Sequence, residues 1–528
     1  MALAMIRATM PTAKNLAARA RSGRGLGTTL SLGLGMCALA GCAVGPDFKR
    51  PASPEGANYT PAPLPAATAS APLPGGEAEA LEIGRDISFD WWTMFRSPAL
   101  DSLVKRALAR SPTIEAAEAT LRGSQFDVYA QLGYFAPTVS AGYSFERQQL
   151  AGNEGGNAPG VQGNGQNITT SQTTSGPPYN QPVTFNLHTA QLTVGYTPDV
   201  FGSNIRAVEA LRATSRYQRF QLEAAYITLA SNVVAAALQE ALVRAEIAAQ
   251  TEIIRMNAEG LAILRHQQAV GYAMGIDVAA QEASLALAQQ ALPPLQKQLE
   301  QTRDLIRALA GNLPSQDVPE TFTLDGLHLP ASLPVSLPSR LIEQRPDIRA
   351  AEEQWHNASA QVGVAVAARL PLINIAAADG GVATAFDRMF SHGGPFWNVT
   401  LAATQPVFDG FTLYNKERSA RAALRVAAAQ YRGTVLTAFQ NVADTLHAVT
   451  TDDRALAAAA AAEDAARTTL TLTREQARVG YVNYLTLLTA EQGYQQSLLT
   501  RVQAQALRFG DAAALYQALG GGWWNKQG

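Results

Sequence analysis

The residues able to do chemistry are few, and their spacing does not suit catalysis. Six histidines stand at 188, 266, 328, 356, 392 and 447. None forms the His-x-x-x-His pair that grips a metal from one helix face, and no cysteine cluster can complete such a site. Glu352-Glu353 reads as a solvated helix face rather than as an acid/base pair. The chain is therefore expected to be no enzyme and to hold no metal and no cofactor. One side chain does have a reaction open to it. Cys42 ends the run Leu39-Ala40-Gly41-Cys42, and its thiol is the only one outside the leader that contains Cys37.

That leader has a recognisable order. Arg7, Lys14, Arg19, Arg21 and Arg24 come first, with no acid among them, and an apolar stretch from Leu26 to Ala40 follows. About 15 weakly apolar residues suit a secretory signal better than a membrane span. Leu-Ala-Gly-Cys resembles the lipobox of bacterial lipoproteins, where cleavage makes the cysteine the new N-terminus and its thiol takes diacylglycerol, with a further fatty acid such as palmitate. Cys42 is thus the expected lipidation site, and the covalent lipid is the only added group expected. Ala43 stands where an inner-membrane retention mark would carry Asp, so the expected address is the cell outer membrane. Removing the five basic residues of the leader takes the formal charge from −2 to −7. A mildly acidic chain argues against a nucleic-acid partner. No run of 18 consecutive apolar residues follows residue 43, so a membrane crossing would be made with strands.

Proline and glycine show which elements must carry the rest. Residues 46–98 are rich in Pro and Ala and read as an extended linker. A second cluster, Pro314, Pro319, Pro330, Pro334, Pro338 and Pro346, marks a connector. Between Pro198 and Pro293, and from Pro406 to the end, there is no proline, so each stretch can hold a helix of roughly 100 Å. Val435, Phe439, Val442, Leu446 and Val449 step by four and three, as do Leu222, Tyr226, Leu229, Val233 and Ala236. This is the narrow seam of coiled-coil packing. Val-Gly-Tyr then appears twice, at 270–272 and 479–481. Each glycine is expected to close a long helix in a left-handed cap before a second helix runs back, from about Ile276 to Ala310 and from about Tyr484 to Leu519. Pro293-Pro294 should kink the first return helix or start a new one there.

The duplication extends further. SPTIEAAEA at 111–119 matches RPDIRAAEE at 345–353 at an offset of 234, and from Asn232/Asn441 the offset settles at 209. The difference locates an insertion in the first half, for which the Gly/Asn/Gln/Ser-rich stretch 148–184 is the candidate loop. Each half reads helix, strand, strand, long helix, return helix. Val139, Ala141, Tyr143 and Phe145 alternate with small polar residues, as do Leu192, Val194 and Tyr196, and Trp397, Val399 and Leu401. Ile373 and Ile375 flank Asn374. A half-buried soluble sheet and a lipid-facing barrel both give this pattern. The outer-membrane address favours the barrel. Four strands cannot close one, and open edges are not viable in lipid, so the chain must share a barrel with at least one further copy; three copies would give twelve strands.

Cys42-Ala43-Val44-Gly45-Pro46-Asp47-Phe48, LPSRLIEQRPDIRAAEEQ at 337–354 and VGYVNYLTLLTAEQ at 479–492 resemble the outer-membrane factor (TolC-like) family, in particular its NodT-like efflux lipoproteins. The resemblance implies an α+β membrane protein with internal duplication: long coiled-coil hairpins and four strands per chain, in a homotrimer that shares a twelve-stranded β-barrel. The expected parts are a signal peptide (1–41), a lipid-anchored linker (42–98), a first repeat (99–310), a Pro-rich equatorial connector (311–344), and a second repeat with its tail (345–528). The implied function is multidrug efflux: an exit duct that reaches from the outer membrane into the periplasm. Its partners would be a periplasmic adaptor (membrane fusion) protein, an inner-membrane resistance-nodulation-division efflux pump and outer-membrane lipid. A type I secretion duct is the alternative within this family, and a periplasmic adaptor or scaffold lipoprotein the alternative outside it. Gly271, Tyr272, Gly480 and Tyr481 become candidates for adaptor docking. Where the family often places aspartates around its periplasmic aperture, this chain has Thr486 and Thr489, leaving Asp277 to line the aperture or merely to cap its helix.

Overall fold

The computed structural model describes residues 43–52, 58–150 and 183–526. The leader, Cys42 and residues 151–182 of the candidate loop lie outside the described residues. A short strand, β1 (Ala80–Ile83), precedes two helices that begin alike. Ser97 accepts from the Leu100 amide ahead of α1 (Pro98–Arg110), and Ser111 from that of Ile114 ahead of α2 (Pro112–Leu132), each with proline at the first helical position. Strands β2 (Thr138–Leu150) and β3 (Val183–Tyr196) follow, then helices α3 (Ser203–Ala269) and α4 (Gly275–Leu309). Strand β4 (Ser332–Val335) and helix α5 (Pro338–Gln344) lie in the connector. The second half then repeats the first as α6 (Pro346–Ala367), β5 (Leu372–Ala383), β6 (Pro395–Thr404), α7 (Thr412–Arg478) and α8 (Tyr484–Ala518).

The repeat is kept to the residue. Helices α3 and α7 each have 67 residues and α4 and α8 each have 35, and every boundary is displaced by the same 209 positions. At 1.5 Å per residue the long helices reach about 100 Å. Val442, Leu446 and Val449 of the expected seam are fully buried, as is Val233 of the other. By length and composition α3 could cross a membrane, but 61% of its apolar window is buried inside the protein, so that apolar character belongs to the core.

Four expectations are corrected. Helix α4 runs unbroken through Pro293 and Pro294, so no new helix starts there. Both prolines are exposed, as are Gln289 and Gln290, whose carbonyls lose their helical donors, so water can serve those oxygens. The 148–184 loop is shorter than expected, because β2 extends to Leu150 and β3 begins at Val183. Residues 46–98 are not simply extended: β1 pairs in parallel with β4, Ala80 opposite Ser332. Trp91, Trp92 and Phe95 are buried in the main core beside Val234 and Phe509. Glu352 and Glu353 do not form a solvated face: both are buried, paired with Arg349 and Arg216. The connector is clamped to the helices. Buried Arg303 on α4 donates to Asp317 (2.8 Å) and to the carbonyls of Val318 (2.6 Å) and Glu320 (2.5 Å), while facing fully buried Glu240 on α3.

Strands β2, β3, β5 and β6 form one antiparallel sheet in that order. Its register separates two faces. One carries the rows Val139–Val194–Ala377–Val399 and Ala141–Leu192–Asp379–Trp397. The other carries Thr138–Gly195–Ala376–Thr400 and Ser140–Thr193–Ala378–Asn398. Asp379 is the exception on the apolar face, and nothing in the structure explains it.

Candidate functional site: the channel wall and the hairpin tips

Val139, Tyr143, Phe145, Trp397, Val399 and Leu401 are all more than half exposed. A soluble sheet would bury such a face, and here it stays open among the described residues. The opposite face offers hydroxyls, amides, alanines and glycines, which suit water. Among the described residues, β2 and β6 have no partner on their outer sides. The sheet thus has the character of a barrel segment, apolar on one face, polar on the other and open at both edges. Helix α3 follows β3 and α7 follows β6.

The far ends of those helices are built twice from the same parts. Gly271 (φ +84°) and Gly480 (φ +80°) take the left-handed conformation, and a Cβ on either would meet nothing within 4 Å. Tyr272 N–H donates to Gln267 (2.8 Å) and Gly271 N–H to Gln268 (3.0 Å); Tyr481 to Gln476 (2.9 Å) and Gly480 to Ala477 (3.2 Å) repeat both bonds. These are Schellman caps, which satisfy the last carbonyls of α3 and α7. Tyr272 and Tyr481 are each 85% exposed, with Val270, Met274, Ile276, Val479 and Leu485 also exposed. An apolar collar thus crowns each tip. Arg265–Glu282 (2.7 Å) and Arg474–Glu491 (3.1 Å), again repeat-related, strap the two helices of each hairpin together.

The return helices start differently. In α8, Asn483 is the N-cap and its Oδ1 accepts from the Thr486 amide (2.9 Å) and hydroxyl (2.8 Å). In α4 the equivalent N-cap is Met274, which offers no oxygen, and the Asp277 carboxylate reaches back to accept from the Met274 amide (3.2 Å). Each helix thus keeps one half of a capping box. Thr489 bonds to the Leu485 carbonyl (2.9 Å). The structure brings Thr486 and Thr489 together along an exposed groove of about 600 Å³ between α7 and α8. Asp277 sits on the other hairpin and does not line that groove.

Sequence reasoning missed a contact near the tips that joins the two hairpins. Tyr484 lies against Leu261, Leu264 and Val278, and its hydroxyl donates to Gln281 Oε1. Gln281 is fully buried, and its Nε2 donates to the Asn257 carbonyl (3.0 Å) and side chain (3.3 Å). Burial, with the charges of Glu491 and Asp277, pushes the Tyr484 hydroxyl up to about 12, so it stays a donor throughout the physiological range. Burial also raises Glu491, against the pull of Arg474. Gln281 interrupting the apolar stripe of Val278 and Leu285 was the available signal.

The family model for outer membrane efflux proteins matches residues 103–312 and 337–521, which together span both repeats. The pyoverdine export outer membrane protein OpmQ of Pseudomonas putida is 28% identical over 82% of this chain and 88% of its own length. The probable efflux pump outer membrane protein TtgC of the same species is 26% identical over 94% and 96%. Among solved structures, the outer-membrane channel OprN is similar with a TM-score of 0.78 at 24% identity, over 91% of this chain and 100% of its own. VceC from Vibrio cholerae gives 0.72 at 23% identity, over 83% and 100%. With an amphipathic sheet, duplicated helical hairpins and a family match over most of its length, the chain belongs to the outer membrane efflux protein family, whose members are exit ducts of efflux pumps in the outer membrane and not enzymes.

Proposed function

We propose that three copies of this chain share a twelve-stranded barrel and a helical tunnel, through which an inner-membrane resistance-nodulation-division pump, joined by a periplasmic adaptor, expels small molecules. The carrying observation is the four-stranded sheet, whose two free edges and exposed apolar face leave it incomplete as a single chain. Relatives named for pyoverdine, toluene and antibiotic export support small molecules as cargo. Acylation of Cys42 adds a lipid anchor. The collars around Gly271–Tyr272 and Gly480–Tyr481 receive the adaptor, and Thr486, Thr489 and Asp277 border the periplasmic aperture. The test is a dye-accumulation assay in cells lacking the gene. The wild-type chain should restore low accumulation, and Tyr272→Asp with Tyr481→Asp should fail to, although still inserted as trimer. Full efflux by the double variant would remove the collars from adaptor docking, and no restoration by wild type would remove the pump assignment.

A further inference from the structure

The peptide directly after Cys42 is held by the fold as a ligand would be. Arg206, in the first turn of α3 and buried, donates from Nε to the Val44 carbonyl (3.1 Å). Its Nη2 donates to the carbonyls of Ala43 (3.3 Å) and Gly45 (3.5 Å) and to Asp47 Oδ1 (2.7 Å). Its Nη1 meets Glu209 (2.7 Å). The Val44 amide donates to the Phe201 carbonyl (3.2 Å). Gly45 has φ +99°, and a Cβ there would overlap the backbone of Gly363 on α6; a Cβ on Gly363 would lie 2.7 Å from Arg206 Cγ. Phe48 stacks on His356 (4.4 Å, 12° between planes) and meets Trp355 edge-on (5.6 Å), and Arg50 pairs with buried Glu352 (3.2 Å).

Without the peptide, Arg206 would keep Glu209 alone of these partners, a poorly compensated buried cation. The place matters as much as the chemistry. Arg206 follows the end of β3 by ten residues, and Gly363 precedes β5 by nine, so the peptide docks where barrel wall becomes helix. Beside it, Val200, Phe201, Ala207, Val364, Ala367 and Leu372 help line a largely apolar groove of about 610 Å³.

We propose that Arg206, Gly363, His356 and Trp355 form a docking site for the chain's own N-terminal peptide, which fixes the lipid of Cys42 at the base of the barrel with an acyl chain in this groove. The inference rests on acylation of Cys42 and on the shared barrel. Two measurements separate its failure from theirs. Hydrogen exchange on the detergent-extracted full chain reads the docking alone. The Val44 amide should be protected, and exchange should be about tenfold to a hundredfold faster in Arg206→Ala. Gly45→Ala and Asp47→Ala alter only the peptide and leave α3 and α6 intact, so they should give the same loss if Arg206→Ala misfolds. Cells fed a photoactivatable fatty acid then read the position. Cross-links from Cys42 should map to residues 197–207 and 364–373 and disappear in Gly45→Ala. An unprotected Val44 in the wild type, or cross-links unchanged in Gly45→Ala, overturns the proposal. Absence of any label on Cys42 removes acylation, and with it the lipid-positioning role, while the exchange data still decide whether the peptide is docked.

Discussion

Tyr484→Phe removes one oxygen and leaves the ring packed on Leu261, Leu264 and Val278. The lost hydroxyl is the donor to Gln281 Oε1, at a residue with no exposed surface, so the variant leaves a buried acceptor unsatisfied. Such a vacancy costs about 1–3 kcal/mol. That cost falls on the arrangement in which the second hairpin lies against the first, and is relieved when water enters as the tips separate. The ratio of separated to joined tips should therefore rise by about 5-fold to 150-fold per chain, and with it the open fraction, further if three hairpins move together. Planar-bilayer recording of purified trimers measures that fraction directly. Gln281→Ala should give a similar increase, and combining the two should add little, because both remove the same bond. An open fraction unchanged in Tyr484→Phe would refute the reasoning that this bond holds the tips together.

Asp277→Asn keeps a cap acceptor for the Met274 amide and removes the charge, so cation preference in bilayers should fall with little change in thermal stability; unchanged selectivity with reduced stability would assign Asp277 to capping alone. Arg303→Ala should destabilise the connector by about 1–3 kcal/mol, since it leaves the buried Val318 and Glu320 carbonyls without their donor, while Glu240 keeps Arg244 and Asp317 keeps Arg307; limited proteolysis should then cut within 311–337 before the helices unfold. Burial and the facing Asp452 carboxylate push Asp511 up to about 7, against Arg508. A raised carboxyl stabilises the fold while protonated, so this contribution is complete below its ordinary pKa near 4 and is lost as pH rises through about 7. Asp511→Asn should therefore raise the melting temperature at pH 8 and have little effect at pH 4.

The helices were legible because proline and glycine are absent where they would break them, and because one offset of 209 carries every cap of one hairpin onto the other. Gly271 and Gly480 were legible for the same reason that they are glycines: the turn needs positive φ. Alternation disclosed the strands, but only the order β2-β3-β5-β6 shows that all four apolar faces coincide. Pro293-Pro294 misled in suggesting a new helix, because the carbonyls that lose their donors belong to exposed Gln289 and Gln290 and can bond to water. The linker misled in the opposite sense, its Pro/Ala composition hiding Trp91, Trp92 and Phe95, which anchor the core. Tyr484–Gln281 and Arg206–Asp47 were not legible, being contacts across 203 and 159 residues between elements whose approach no local pattern encodes.

A shared barrel requires the free edges of β2 and β6 to close on neighbouring copies. In one chain these edges are separated by two strands, about 14 Å, too far for a disulfide. Any bond between cysteines placed on them must therefore join two chains. The background is clean, since the sequence has only Cys37 and Cys42, and the proposed cleavage and acylation at Cys42 leave no free thiol. Ser140→Cys on β2 should be paired with cysteine at each of Phe396, Asn398 and Thr400 on β6 and oxidised in native outer membranes. Covalent dimers and trimers, and nothing larger, are expected for at least one pair. Exclusively monomeric chains from every pair, in membranes where the protein is folded, would contradict the shared barrel.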